Sequence, residues 1–176
     1  ISAATILSGI AQGLIWAILT LGVYLTFRIL DIADLTVEGT FPLGAAVTVV
    51  LINTGMSPGL AILCAVLAGA AAGFVTGFLH TIFQIPAILS GILTMIALYS
   101  VNIRIMSDKA TVALEQPSIK TWMLSLLPEG TASNTISIIL GGIFCLVIVA
   151  LLYYFFGTEI GCAVRATGSN QNMARS

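Results

Sequence analysis

Residues 58–80 read PGLAILCAVLAGAAAGFVTGFLH. Pro58 opens the stretch, His80 ends it, and no charged side chain lies between them. A helix needs about 20 apolar residues to cross the hydrocarbon of a bilayer, and this stretch supplies them. The silence extends outward on both sides. No Asp, Glu, Lys or Arg occurs before Arg28, between Glu38 and Arg104, or between Glu129 and Glu159. Of 176 residues, 59% are hydrophobic and 7% charged. A soluble domain carries about 25% charged residues, so this chain cannot cover a water-facing surface. The apolar runs do not alternate as barrel strands do. With every backbone group needing an internal partner in lipid, the spans must be helices. The fold class is all-α: a polytopic transmembrane helical bundle.

The first span is expected at 5–27, closed by Arg28. RILDIADLTVEGTFP (28–42) follows, the most polar stretch of the first hundred residues. The apolar run from Phe41 to Ile52 is short for a crossing. A broken or re-entrant second helix is therefore expected, with Thr40 as its cap and Pro42 in its first turn. A third span covers 58–80 and a fourth 86–105. Residues 107–133 form a linker with Asp108, Lys109, Glu115, Lys120, Glu129, Pro117 and Pro128, and TWMLSLL (121–127) within it reads as a short interfacial helix. The last span, 135–156, ends in the aromatic run YYFF. Arg28, Arg165 and Arg175 flank one side of this topology and Arg104, Lys109 and Lys120 the other, so charge bias sets no orientation.

Three features point beyond packing. Ala61, Ala65, Gly69, Gly73 and Gly77 recur every four residues, a small-residue stripe that lets helix backbones approach closely. Packing within the chain is the expected use, a dimer seam the alternative. Asp31, Asp34 and Glu38 are spaced to share a face if their segment is helical. At mid-bilayer each would cost about 2.5–3.5 kcal/mol. They belong either at a water interface, favouring the N-terminus of the next helix, or beside a wet solute path, where transporters place broken helices. The third feature is GTEIGCAVRATGSNQNMARS (157–176). Gly157 ends the last span, EIGCAVRATG reads as a mixed loop, and Ser169 or Asn170 could cap a short helix, QNMARS.

Other classes lack support. A net charge of −1 says nothing for nucleic acid. Cys64, Cys145 and Cys162 are too scattered for a disulfide framework or metal site. His80 reads as a helix-end residue, and no Gly-Lys phosphate loop occurs. No convergent nucleophile, base or metal set marks an enzyme. An ion-coupled secondary transporter using Asp31, Asp34 and Glu38 remains as an alternative.

Residues 157–176 resemble the cytoplasmic coupling segment of ABC importer permeases of the branched-chain amino acid and ribose type, whose members carry a similar small-polar run. SGIAQGLIWAILTLGVYLTFRILDIADLTVEGTFPLGAAV (8–47) is similar to the first span, polar break and short second helix of that family. Its DLTVEG (34–39) is similar to the subgroup paired with aromatic amino acid binding proteins. The resemblance implies a type II importer-like fold and a permease subunit for a small polar solute, expected to be an amino acid. Residues 1–176 would be a single transmembrane domain, the N-terminal part of a longer permease, with 157–176 as the coupling segment. Arg165, Gly168, Ser169, Asn170, Ala174 and Arg175 would contact a separate ABC ATPase subunit. Asp31, Asp34, Thr36, Glu38, Gly39 and Thr40 would shape the solute path. An extracytoplasmic solute-binding protein and a second permease copy would complete the assembly in the cell membrane. This chain would bind no cofactor itself, ATP and Mg being held by the ATPase. Residues 28–40 and 157–176 would then face the cytoplasm.

Overall fold

The computed structural model describes residues 2–114, 119–126 and 133–176, and every element among them is a helix. Glu115, Pro117, Pro128 and Glu129 of the linker lie outside the described residues. The helices are α1 (Ala3–Tyr24), α2 (Thr36–Asn53), α3 (Pro58–Thr81), α4 (Ala87–Ile105), α5 (Ile119–Leu126), α6 (Ser133–Phe156), α7 (Glu159–Ser169) and α8 (Gln171–Ala174). A π-helical turn, Leu25–Ile29, continues α1. Among the described residues five helices are long and apolar enough to cross a membrane: α1 with its π turn, α2, α3, α4 and α6.

The polar break lies where expected, but the helix beyond it is longer. Asp31 takes a left-handed φ of 55°, a conformation that Asp tolerates better than most residues. Asp34 Oδ1 then accepts the Thr36 N–H at 2.8 Å, satisfying a free donor of the first turn. The helix therefore starts at Thr36 and runs 18 residues, about 27 Å at 1.5 Å per residue. Its length does not require re-entrance. Thr40 is not a cap: its hydroxyl donates to Val37 O at 3.2 Å inside the helix. Pro42 likewise lies within α2 rather than in its first turn. The apolar run hid this start because the first turn is polar and finds its partners in neighbouring helices.

Two other joints are built locally. Gly55, at φ 91°, lets the chain leave α2, and Pro58 fits the first turn of α3, where its missing N–H costs nothing. Between α3 and α4, His80 Nδ1 lies 2.8 Å from Ile85 O. His80 is the helix-end residue that the sequence indicated.

The chain divides into two compact units, 1–32 with 120–176 and 33–119. In the first, α1 runs along α6. A Cβ on Gly141 would come 3.0 Å from Leu14 Cβ, and the Cys145 thiol donates to Leu14 O at 3.4 Å. In the second, α2, α3 and α4 pack around Leu43, Ala72 and Leu98, with Val47, Ala68 and Ile105 against them.

Polarity is inverted relative to a water-soluble protein. Thr36, Thr76, Ser90, Thr94 and Asn102 are buried, while Tyr153 is 85% and Phe74 73% exposed. Water would penalise such an exterior by roughly 25 cal/mol for each Å² of apolar surface; lipid does not. The protein is a multi-pass membrane protein.

The small-residue stripe of α3 divides. Ala61 is fully buried and Ala65 half-buried, but Gly73 and Gly77 are exposed. A Cβ added to Gly69, Gly73 or Gly77 would meet nothing within 4 Å. The packed face is instead Ala61, Ala65, Ala68, Ala72 and Thr76. Intrachain packing of the glycines is thus corrected. One step of helical rotation carries the contact onto the alanines.

Candidate functional site

The three-helix unit is organised around hydroxyls. Thr36 Oγ1 lies 2.7 Å from Thr76 Oγ1. Thr76 donates to Thr94 Oγ1 at 2.9 Å, and Thr94 donates to Ser90 O at 3.0 Å. A hydroxyl has one proton. Since Thr94 spends its proton on Ser90 and Thr76 on Thr94, Thr36 is the donor to Thr76. One directed relay therefore ties the start of α2 to α3 and α4.

Close approach at Gly91 keeps the break against α4. A Cβ there would lie 2.9 Å from both Asp34 Oδ1 and Leu35 N. Gly39 is in a similar position one turn on, where a Cβ would meet Leu98 Cδ1 at 3.0 Å and Met95 Cα at 3.1 Å. Only glycine lets the backbones meet at these two points.

The sequence-predicted path residues do not act as a set. Asp31 is exposed in the break. Asp34 is engaged by the Thr36 N–H. Glu38 is exposed in the first turn of α2. The residues from Asp31 to Leu35 are not helical, so the three acids do not share a helical face as their spacing allowed. Thr36 and Gly39 are buried in packing, and Thr40 is half-buried and bonded within its helix.

Glu38, Gly39 and Pro42 do line a cavity of about 580 Å³ with residues of α4 and the segment after it. Met95, Ile96, Tyr99, Ile103 and Met106 give it apolar walls, and Asn102 and Lys109 add polar groups. Asn102 is 7% exposed. Its Nδ2 donates to Gly39 O at 3.4 Å, and its Oδ1 is buried without a hydrogen-bond partner. Thr76, Thr94 and Asn102 were missed in the sequence. A signal was present: Ser90, Thr94, Leu98 and Asn102 recur every four residues on α4.

The second site is the foot that follows α6, in the other unit. EIGCAVRATG is not a loop but most of α7, an 11-residue helix. Thr158 caps it, accepting the Gly161 N–H at 3.3 Å. Gly161, Arg165 and Gly168 share one face by their spacing of four and three. Gly161 sits against the backbone of Phe155 and Phe156, with room for no Cβ. The Arg165 guanidinium lies 5.2 Å over the Phe156 ring. Gly168 packs on Ile29 O, with Leu30 Cα 3.0 Å from where its Cβ would be. The helix is thus seated on the ends of both α6 and α1. Arg28 and Arg165 line one cleft of about 360 Å³ with Tyr24, Ile29 and Ser169. Asn170, extended at φ −158°, then breaks the helix and caps α8, its Oδ1 accepting Asn172 N at 3.1 Å and Met173 N at 3.2 Å. Ser169, Asn170, Ala174 and Arg175 are exposed, as is Met173. Gly161 and Met173 were not singled out in the sequence.

Residues 5–176 match the family described as branched-chain amino acid transport system / permease component. The chain is 37% identical over 171 residues to a tyrosine transport system permease protein of Clostridioides difficile (strain R20291), covering 97% of this chain and 54% of that one. It is 34% identical over 168 residues to an uncharacterized protein of Rickettsia prowazekii (strain Madrid E), covering 96% of this chain and 56% of the relative. The chain thus spans about half the length of the curated relatives it matches. No solved structure matches it significantly.

Proposed function

Since the chain belongs to the permease-component family of branched-chain amino acid transport systems, we propose that it is the membrane part of an ATP-driven importer of an amino acid. The name of the Clostridioides difficile relative favours an aromatic one. Its partners are an ABC ATPase subunit that holds ATP and Mg, an extracytoplasmic solute-binding protein, a second permease copy and membrane lipid. Residues 157–176 form the coupling segment, and with 28–40 they face the cytoplasm. The observation that carries this reading is the seated foot: Gly161, Arg165 and Gly168 fix α7 to the ends of α1 and α6. A helix so held transmits displacement as a rigid body, which is what a nucleotide-driven gate needs. Ser169, Asn170, Ala174 and Arg175, with Met173, present the ATPase-facing surface. Arg165 and Gly168 serve the same coupling from the membrane side. On the solute side, Asp31, Asp34, Thr36, Glu38, Gly39 and Thr40 shape the path, Thr36 and Gly39 as packing and Glu38 as an exposed group.

The test places the full-length permease with its ATPase and binding protein in proteoliposomes. Ala174→Trp or Asn170→Trp should cut solute-stimulated ATP hydrolysis at least tenfold while leaving the unstimulated permease folded. Hydrolysis unchanged by either bulky side chain would refute docking at this surface.

A further inference from the structure

The cavity between α2 and α4 has a chemistry that the packing does not consume. At one end it gathers acceptors. Asn102 Oδ1 is buried and unpartnered, and the Glu38 carboxylate lines the same space. Pro42, having no N–H, also offers no helical hydrogen bond to the carbonyl of Glu38. The Asn102 amide is oriented by its bond to Gly39 O, which leaves the oxygen as the free atom. A buried acceptor without a donor costs about 1–3 kcal/mol in general, so the site calls for a ligand with several N–H groups. Lys109 brings the opposite charge to the lining, and two methionines, two isoleucines and Tyr99 supply apolar and aromatic contact. A volume of about 580 Å³ lies within the range of roughly 300–1,000 Å³ typical of small-molecule sites.

We propose that this cavity binds a zwitterionic amino acid with a large apolar or aromatic side chain: ammonium toward Glu38 and Asn102, carboxylate toward Lys109, side chain against Met95, Tyr99 and Met106. The proposal rests on the importer reading and deepens it. The membrane part itself would recognise the solute after its release by the binding protein, rather than serving as a featureless passage. Glu38 and Lys109 impose a requirement for both charges, and Asn102 supplies the neutral acceptor that only a hydrogen-bonding cation satisfies.

Binding is measured by calorimetry on the full-length permease in nanodiscs of phosphatidylcholine and phosphatidylglycerol, with no binding protein. The probes are L-tyrosine, tyramine, which lacks the carboxylate, and 3-(4-hydroxyphenyl)propionate, which lacks the ammonium. L-tyrosine should bind at least tenfold tighter than either analogue. Glu38→Gln should weaken L-tyrosine about tenfold and leave the propionate unchanged, while Lys109→Gln should weaken L-tyrosine and leave tyramine unchanged. Both residues are exposed, so their replacement leaves the fold intact; Asn102→Leu should abolish the preference for the zwitterion over the propionate. Equal affinity of L-tyrosine for wild type and both charge variants would overturn the proposal, as would its failure to bind at millimolar concentration. Displacement of L-tyrosine by added phosphatidylethanolamine would also overturn it, by assigning the acceptors to a lipid headgroup. Failure of the cavity and failure of the importer reading are separable. If the foot variants abolish stimulated ATP hydrolysis while tyrosine binding ignores Glu38 and Lys109, only the cavity assignment falls.

Discussion

Replacing Thr76 by Val tests whether the hydroxyl relay holds the three-helix unit together. The two side chains are nearly the same size, so the change removes an oxygen and little else. Two hydrogen bonds are lost, 2.7 Å to Thr36 and 2.9 Å to Thr94. In membrane proteins such bonds average about 0.6 kcal/mol and reach about 1.7, so the pair contributes about 1–3 kcal/mol. Thr36, 2% exposed, is left with a proton and no acceptor. The assay is reversible unfolding of the full-length permease in mixed micelles, with SDS as denaturant and helical circular dichroism as signal. Thr36→Val alone should destabilise, but in the Thr76→Val background it should cost about 0.6–1.7 kcal/mol less, because its partner is already gone. Single changes that add within about 0.3 kcal/mol would refute the relay, since independent residues behave in that way. Thr76→Ser keeps both bonds and should preserve the coupling.

Cys162 is exposed, whereas Cys64 and Cys145 are half-buried within spans. A membrane-impermeant maleimide should therefore label Cys162 in inside-out vesicles only, and labelling in intact cells would reverse the proposed orientation. Asn170→Ala removes the cap of α8, a contribution of about 0.5–2 kcal/mol. Hydrogen exchange at the Asn172 and Met173 amides should rise about fivefold or more, and unchanged exchange would mean that the cap does not hold the tip. Arg165→Gln loses the contact over Phe156, about 0.5–1 kcal/mol at an exposed site. A small drop in melting temperature is expected, smaller again for Arg165→Lys, and no drop would remove Arg165 from the seat of α7.

Most of the spans were legible because lipid imposes a single strict rule on composition. α3 and α4 begin and end within a residue or two of the uncharged runs, where Pro58, His80 and Pro86 punctuate the chain. The rule fails where polar residues are paired rather than solvated. The start of α2 looked like loop because Thr36 and Glu38 are polar, yet the partner of Thr36 is forty residues away on α3. The foot looked like loop for the opposite reason. Its glycines lower helix propensity, but Gly161 and Gly168 are there for contact with α6 and α1, which local sequence does not display. The acids shared a helical spacing without sharing a helix, since Asp31 adopts a left-handed backbone. Asn170 was readable as a cap because capping is a matter of near neighbours in sequence.

The wide turn at Leu25–Ile29, where Leu30 N reaches back to Leu25 O, bears on how this protein can vary. Deleting one residue there would let the helix wind on at ordinary pitch, at little local cost. Everything after the deletion would be rotated by about 100° around the axis, and the Ile29 carbonyl would swing out from beneath Gly168. A one-residue length change near the front of the chain would thus unseat a helix near residue 168, so this segment tolerates substitution far better than insertion or loss.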